Sequence, residues 1–283
     1  MNDTSFFTQT HVYFKKVFRI SLREKAWKFL IFAAIIASIV ALIVGPDMFT
    51  KFEPTNSGFF TLASACIWIG IFNSIQSICK EHEIVRAEYR QGMKMSAYVA
   101  AHVLWQALLC LAQAIIIFVL CCIFMHFDQS PHLLINAYVE NFVTIYLLTF
   151  GAAVLGLMIS SISGTPTTAM TIMPFVLIVQ LVLSGVLFTL KGATEGFSFV
   201  TLSKWGMAAF GCEADLNAIP TGVQKSISAI PEAKGIVISN PLQSDFYKPQ
   251  VINLLTAWGA ILGITVFNAV VSVVALKIKN KDS

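Results

Sequence analysis

The stretch ICKEHEIVRAEYRQGMKMSAYV, residues 78–99, separates two long apolar runs of the chain. The spacing of Ile84, Ala87, Glu88 and Met95 allows a short helix here, with Glu81, Arg86 and Arg90 offered to water and to a partner. A charged segment between two apolar runs is typical of the loop between two membrane spans, and a solvated loop would explain it equally well. It carries seven formal charges of both signs: Lys80, Glu81, Glu83, Arg86, Glu88, Arg90 and Lys94.

The composition around this stretch is that of a membrane protein. Of the 283 residues, 57% are hydrophobic and 12% are charged, whereas soluble proteins carry about 25% charged residues. The charges fall in blocks, and the gaps between them reach the roughly 20 residues that a helical span needs. Gly164 and Pro166 divide the longest gap in two. We therefore predict an all-α polytopic membrane protein with six transmembrane helices, at about 28–45, 58–79, 96–125, 138–161, 167–190 and 252–276.

The distribution of Lys and Arg predicts the orientation. They cluster in the first 28 residues, in 80–94 and after residue 276, while the connections 46–57 and 126–140 hold only Lys51. By the positive-inside rule both termini are cytoplasmic, and we expect a multi-pass protein of the plasma membrane. The basic, polar start also predicts that no signal peptide is cleaved. The predicted parts are a cytoplasmic N-terminus (1–27), a transmembrane domain (28–276) with an outer loop (191–250), and a cytoplasmic tail (277–283).

Two segments outside the spans have helical character. Residues 10–25 place Phe14, Val17, Phe18 and Leu22 on one face and mainly basic residues on the other, which predicts an amphipathic helix at the membrane interface. An ordinary basic flank is the alternative. LSKWGMAAFG, 202–211, is amphipathic with aromatic anchors, so it is expected to re-enter the membrane or to lie along its outer surface.

Several kinds of chemistry have no support in the sequence. We find no G-x-x-x-x-G-K-[ST] motif for ATP and no H-E-x-x-H motif for zinc, and the five histidines are scattered. We therefore expect no metal site, no cofactor and no catalytic site on this chain, and nothing in it points to nucleic acid. The interiors of the spans lack acidic and basic residues, which argues against an ion-coupled carrier. A pore, or a passage powered from elsewhere, remains.

The cysteines do not suggest a disulfide framework within the chain. Cys212 alone lies in the outer loop, and the other five lie in or at the ends of the predicted spans. Cys212 is therefore a candidate for a disulfide between two copies of the chain, or else a free or buried thiol.

Three segments resemble the membrane subunits of G-type ATP-binding-cassette (ABC) exporters. In residues 72–102, Glu81, Glu88, Gly92 and Tyr98 follow the order found around that family's coupling helix. LVLSGVLFTL, 181–190, is similar to the end of its fifth helix, where Ser-Gly precedes two bulky residues. LSKWGMAAFGCEADLN, 202–217, looks like its re-entrant segment. The resemblance covers about residues 8–276, with Val186 where the family often has leucine.

This resemblance implies specific roles for individual residues. Residues 80–94 would be a coupling helix that contacts a nucleotide-binding ATPase subunit, which would bind ATP and Mg, and a second copy or a similar permease would complete a dimer. Glu81 and Glu88 would pair with Arg19 or Arg23 of the first helix. The implied coupling residues are Glu81, Glu83, Arg86, Glu88 and Arg90; the implied pathway residues are Ile69, Phe72, Asn73, Ile178 and Leu181; and the implied outer gate is Val186 and Leu187.

The resemblance and the apolar lining imply ATP-driven export of a hydrophobic or amphipathic cargo, such as a lipid, a drug-like molecule or a peptide. Other functions remain open at this point. A channel would conduct without ATP, and a scaffold subunit would bind its partner without moving cargo. A membrane enzyme would need a constellation of polar groups that the sequence does not show.

Overall fold

The computed structural model describes residues 5–45, 48–125, 133–221, 224 and 244–281, and all regular structure within them is helical. Parts of the 126–140 connection, of the 191–250 loop and of the tail lie outside these residues. Two short 3-10 turns cover Cys79–Glu81 and Asp245–Tyr247. The helices are α1 (Phe6–Arg23), α2 (Trp27–Val44), α3 (Phe52–Ser74), α4 (His82–Arg90), α5 (Met95–Phe124), α6 (Ala137–Ile162), α7 (Pro166–Val182), α8 (Ala193–Ser198), α9 (Leu202–Glu213) and α10 (Val251–Lys281).

The predicted all-α polytopic fold is confirmed. Helices α2, α5, α6 and α10, and the run that begins with α3, are long and apolar enough to cross a membrane. The fifth predicted span, 167–190, is shorter than expected, because α7 has 17 residues and is about 26 Å long. It ends before Gly185, whose φ of +80° is incompatible with continuing the helix. Helix α3 starts six residues before the predicted 58–79 span. Its first turns are polar, so the apolar pattern that defined the span did not include them.

Helices α3 and α6 form the centre of the bundle, and their backbones approach closely. A Cβ on Gly70 would overlap the Thr149 carbonyl oxygen and lie 2.7 Å from the Ala152 Cβ, and a Cβ on Gly156 would overlap the Ser74 hydroxyl. The Ser74 hydroxyl also donates to the Ala153 carbonyl at 2.5 Å. Small residues at such a crossing allow the van der Waals contact on which helix association in lipid depends.

Helix α1 runs alongside the first turns of α5. The rings of Tyr13 and Tyr98 lie 5.7 Å apart, and those of Phe18 and Trp105 lie 5.4 Å apart. The chain then breaks at Lys25, whose φ is +61°, and continues as α2, which also packs on α5. Helix α1 is therefore amphipathic as predicted, but part of its apolar face packs against protein.

Helix α9 is almost completely buried among α3, α6 and α10, so it belongs to the bundle and not to a separate outer layer. Cys212 lies near its end, is fully buried and donates from Sγ to the Lys248 carbonyl at 3.2 Å. A disulfide between two copies through Cys212 is therefore not compatible with this fold.

The buried amides of the spans bond to one another inside the subunit. Asn73 Nδ2 donates to Gln113 Oε1 at 2.6 Å, and Gln113 Nε2 donates back to Asn73 Oδ1 at 3.1 Å. Gln113 Nε2 also donates to the Phe29 carbonyl at 3.1 Å. This network joins α2, α3 and α5, because a polar group in an apolar interior is costly unless it is hydrogen-bonded.

Candidate functional site: the charged segment after helix α3

The charged segment predicted as a coupling helix is folded against the ends of three spans. The hydroxyl of Ser160 in α6 accepts the backbone N–H groups of Ile78 and Cys79 at 3.0 and 3.1 Å. Val85 is the buried residue of α4 and packs in one cluster with Leu157 of α6 and Leu276 of α10. Buried side chains therefore join α4 to α6 and α10.

The turn between α4 and α5 is held by α1. Gly92 has a φ of +99°, which favours glycine. Gln9 of α1 donates to the Gly92 carbonyl at 3.3 Å and accepts the Lys94 backbone N–H at 2.8 Å. One side chain thus fixes both ends of the turn.

Lys16 of α1 pairs with both predicted carboxylates. Its Nζ lies 2.9 Å from Glu88 Oε1 and 3.9 Å from Glu81 Oε2, and the Tyr98 hydroxyl donates to Glu81 at 3.1 Å. The predicted partners Arg19 and Arg23 are therefore wrong. Both arginines are exposed and lie about one and two turns beyond Lys16 along α1.

Burial shapes the protonation of this cluster. It raises the pKa of Glu81 above its ordinary value, against the opposing effects of Lys16 and of the Tyr98 hydrogen bond. Burial, followed by the charge of Glu88, raises the pKa of Tyr13 to about 12. Glu81 is therefore not offered to water as the sequence pattern predicts, but forms part of the contact between α1, α5 and the 3-10 turn.

Replacing Glu81 with Gln is expected to stabilise the protein at neutral pH but not at acidic pH. The raised pKa means that the ionised carboxylate is penalised in the folded state, so its contribution to stability falls as pH rises from the unfolded value of 4.5 through the folded pKa. A Gln side chain cannot ionise, so it avoids this loss of stability, and its amide oxygen can still accept the hydrogen bond from the Tyr98 hydroxyl. Melting temperatures between pH 4 and pH 8 measure the difference between variant and wild type.

The matched control is Glu83→Gln, because the side chain of Glu83 is 86% exposed, and it should show no such stabilisation at pH 7.5. Burial lowers the pKa of the neighbouring His82 and the charge of Glu83 opposes that shift, so this control is compared with wild type at pH 7.5 and above, where His82 is neutral. A Glu81→Gln protein that is less stable than wild type at pH 7.5 would contradict the conclusion that the fold penalises the ionised Glu81 carboxylate.

The remaining charges of α4 lie on an outward face. Glu83, Ile84, Ala87 and Arg90 are exposed and recur with helical spacing, while Arg86 is half-buried. Ile84 is 51% exposed, the one large apolar residue on that face. An exposed apolar residue surrounded by charges of both signs is suited to a protein–protein contact with a polar rim.

The structure separates the predicted pathway residues. Ile69 and Asn73 are turned into the subunit, at 1% and 7% exposure, whereas Ile178 of α7 is 56% exposed. The half-buried Phe72 and the exposed Trp68 lie on the outer face of α3. Successive helical residues point about 100° apart. Ile69 and Asn73 therefore face the interior, whereas Trp68 and Phe72, each one position earlier, face outward.

Sequence reasoning missed Trp68, although a signal was present. Ser57, Thr61, Ser64, Trp68 and Phe72 recur every three or four residues, and the first three are the hydroxyl-bearing residues of the 57–72 stretch. They form one stripe on α3 that the rest of the subunit leaves at least partly uncovered. A helical wheel of residues 57–72 would have shown it.

The structure also places the two predicted outer-gate residues in different surroundings. Val186 packs against the core, while Leu187 and Phe188 are 52% and 60% exposed. The turn is closed by Ser184, whose hydroxyl donates to the Leu181 carbonyl at 2.8 Å and accepts the Val186 N–H at 3.3 Å. The pair of bulky residues facing outward is therefore Leu187 and Phe188. Leu181, by contrast, is half-buried.

Within the described residues, no three His, Cys, Asp or Glu side chains are grouped so that they could hold a metal ion. The site consists of a short charged helix that is connected by packing, ion pairs and hydrogen bonds to α1, α5, α6 and α10 and that exposes one face.

Comparison with known proteins agrees with this architecture. The profile of the ABC-2 type transporter family matches residues 8–209. The chain is similar to the ABC transporter ATP-binding/permease protein Rv1747 of Mycobacterium tuberculosis, with 27% identity over 159 residues. That match covers 55% of this chain but only 18% of the relative. The chain is a multi-pass membrane protein that belongs to the ABC-2 type transporter family.

Proposed function

We propose that this chain is the permease of an ATP-driven exporter, with α4 as the contact for a nucleotide-binding ATPase subunit that binds ATP and Mg. The observation that carries the proposal is the arrangement of the charged segment. Its inner face is joined to α1 through Lys16 and to α6 through Ser160, and Glu83, Ile84 and Ala87 on its outer face are exposed. Such a helix can transmit a push from outside to the spans.

We further propose that two copies, or one copy and a similar permease, enclose the transport pathway. Helix α7 exposes Phe175, Ile178 and Val179 by at least half, and it contacts α3, α6, α9 and the Cys79–Glu81 turn. With Trp68 and Phe72 on α3, these residues would line a mainly apolar pathway. Leu187 and Phe188 would close it at the outer end.

The lining supports a hydrophobic or amphipathic cargo, because an apolar path offers little to replace the hydration of an ion. A lipid, a drug-like molecule or a peptide fits this description. The proposed site of action is the plasma membrane, with both termini in the cytoplasm on the same side as α4, as the basic residues around α1 and α4 suggest.

The variant Ile84→Arg tests the contact with the ATPase. Ile84 is exposed, so the change should leave the melting temperature within about 1–2 °C of wild type, as surface changes usually do. In the proposed complex it would place an extra charge in the apolar centre of the contact, and we expect at least about tenfold weaker binding of the cognate ATPase subunit. Co-purification and ATPase activity in proteoliposomes measure this.

Ile135→Arg is the matched control, because Ile135 is an exposed isoleucine in the connection before α6, on the side predicted to be outside. It should bind the ATPase normally. Equal binding by wild type and Ile84→Arg would exclude α4 as the docking site. Conductance without ATP, or stable ATPase binding without cargo movement, would favour the alternatives of a channel or a scaffold.

A further inference from the structure

The turn between α1 and α2 brings three exposed basic residues together. Helix α1 ends at Arg23, and α2 begins at Trp27. Between them Lys25 has a φ of +61°, and its backbone N–H donates to the Leu22 carbonyl at 3.2 Å. The side chains of Arg23, Lys25 and Lys28 are all exposed. We call residues 23–28 the basic corner.

The cations of the basic corner have no acidic partner in the subunit. Among the described residues, none of Arg23, Lys25 and Lys28 forms an ion pair. Glu24 is the one acid within the corner segment itself, and its carboxylate lies 3.9 Å from Lys80 Nζ. The corner therefore carries an excess of positive charge that a group outside the subunit can balance.

Trp27 places the basic corner at the boundary of the membrane. Its side chain is 55% exposed, and exposed tryptophans are enriched where a span meets the lipid headgroups. After Lys28, helix α2 has no further charge. The headgroup layer adds about 5–7 Å to each side of the hydrocarbon core. Since all three cations lie within four residues of Trp27, we place them in this layer.

Lys28 lies at the end of an exposed apolar stripe on α2. Ile31, Ile35 and Ile39 follow it with helical spacing and are 49%, 53% and 52% exposed. The opposite side of the helix is buried, as at Ala37. From Lys28 to Ile39 the stripe is about 17 Å long. A cation followed by an apolar stripe matches a phospholipid, with its phosphate at Lys28 and an acyl chain along the isoleucines.

Charge complementarity selects among phospholipids. The headgroup of phosphatidylcholine brings its own cation, which the basic corner repels, whereas that of phosphatidylglycerol has a net negative charge. Each Lys or Arg close to an anionic membrane surface favours binding by a factor of about five. An acidic protein partner in the aqueous phase fits less well, because the stripe that begins at Lys28 continues into the span.

We propose that the basic corner binds the headgroup of an anionic phospholipid of the adjacent leaflet, with an acyl chain lying along Ile31, Ile35 and Ile39. The site goes beyond the proposed function. It faces the lipid around the subunit, whereas the proposed pathway involves α3 and α7 and the proposed ATPase contact involves α4. The proposal also gives a role to Arg23, which does not pair with Glu81 or Glu88.

Photolabelling of the purified full chain in phosphatidylcholine nanodiscs tests the site without an ATPase, so the result is independent of transport. The probes are phosphatidylglycerol and phosphatidylcholine that carry the same diazirine on one acyl chain, and labelled peptides are mapped. Label on the exposed face of α10, at Val266 and Val270, serves as the internal reference. Relative to it, we expect phosphatidylglycerol to label residues 27–39 at least about fivefold more than phosphatidylcholine does.

The variant Arg23→Gln/Lys28→Gln should lower this preference to less than about twofold. Both residues are exposed, so the change should leave the melting temperature within about 1–2 °C of wild type. The matched control is Lys15→Gln/Lys277→Gln, which removes the same charge from two other exposed positions and should keep the preference.

Three outcomes would overturn the proposal. Equal labelling of wild type by the two probes would exclude selection of an anionic headgroup. An equal loss of preference in the Lys15→Gln/Lys277→Gln control would assign the effect to general surface charge and not to the basic corner. Unchanged lipid labelling in Arg23→Gln/Lys28→Gln, together with weaker binding of the ATPase subunit, would assign the corner to a protein contact.

Discussion

Lys16→Glu is expected to reduce ATP-driven transport at least about tenfold, with the ATPase subunit still bound. Lys16 Nζ lies between Glu88 at 2.9 Å and Glu81 at 3.9 Å. The reversal places three carboxylates together in a partly buried site, where like charges repel strongly. Helix α4 would then move away from α1, and the push on its outer face would no longer reach the spans. Cargo uptake and ATP hydrolysis in the same proteoliposomes measure the coupling.

The double variant Lys16→Glu/Glu88→Lys is expected to restore transport to within about threefold of wild type, because it exchanges the partners of the closer pair while keeping the charges. Arg19→Glu is the matched control for a general loss of basic charge, since Arg19 is exposed one turn further along α1. A fully active Lys16→Glu protein would show that the contact with α1 is not part of the transmission. Equal loss in Arg19→Glu would assign the effect to charge at the membrane surface.

Gly70→Val is expected to destabilise the fold by about 3 kcal/mol or more, at the upper end of what overpacking costs. The first carbon of the new side chain would overlap the Thr149 carbonyl oxygen and lie 2.9 Å from the Ala153 backbone nitrogen. These neighbours are backbone atoms of α6 and cannot rotate away, so the α3–α6 contact must open. The melting temperature in detergent and the yield of monodisperse protein measure the effect.

Gly259→Val is the control for this change. Gly259 also lies inside a long apolar helix, α10, but a Cβ there would have no atom within 4 Å. Both substitutions replace a helical glycine with the same β-branched residue, so their difference isolates the close approach of α3 and α6. If the two variants had the same melting temperature, the small-residue contact would not be what holds the centre of the bundle.

The helices were predictable to different degrees. The starts of α2, α5, α6 and α10 lie within one residue of the predicted spans, because a charged residue lies within three residues of each start. The end of α7 at Val182 was not predictable in this way, since residues 183–190 are as apolar as the helix before them. There the break depends on the Ser184 hydrogen bonds and on the positive φ of Gly185.

Site residues were harder to predict than helices, because a wheel position separates a lining residue from a buried one. Phe72 lies on the outer face of α3 and its neighbour Asn73 bonds to Gln113 inside the subunit. On α1, too, the sequence does not identify the site residue, because the basic residues of this helix look equivalent. Only the packing of α1 on α5 places Lys16, and not Arg19 or Arg23, beside the acids.

By itself, the sequence determined that this is a polytopic helical membrane protein, where most spans lie, that a charged segment interrupts them, and that the chain resembles an ABC permease. These properties depend on composition and on local order along the chain, since a span must be apolar for about 20 residues whatever it packs against. The tertiary structure alone decided that Lys16, and not Arg19 or Arg23, pairs with Glu81 and Glu88, that Cys212 is buried, and that Asn73 faces the interior of the subunit. The physical reason is that the partner of each side chain depends on how helices far apart in sequence rotate and cross, and small residues such as Gly70 set that crossing.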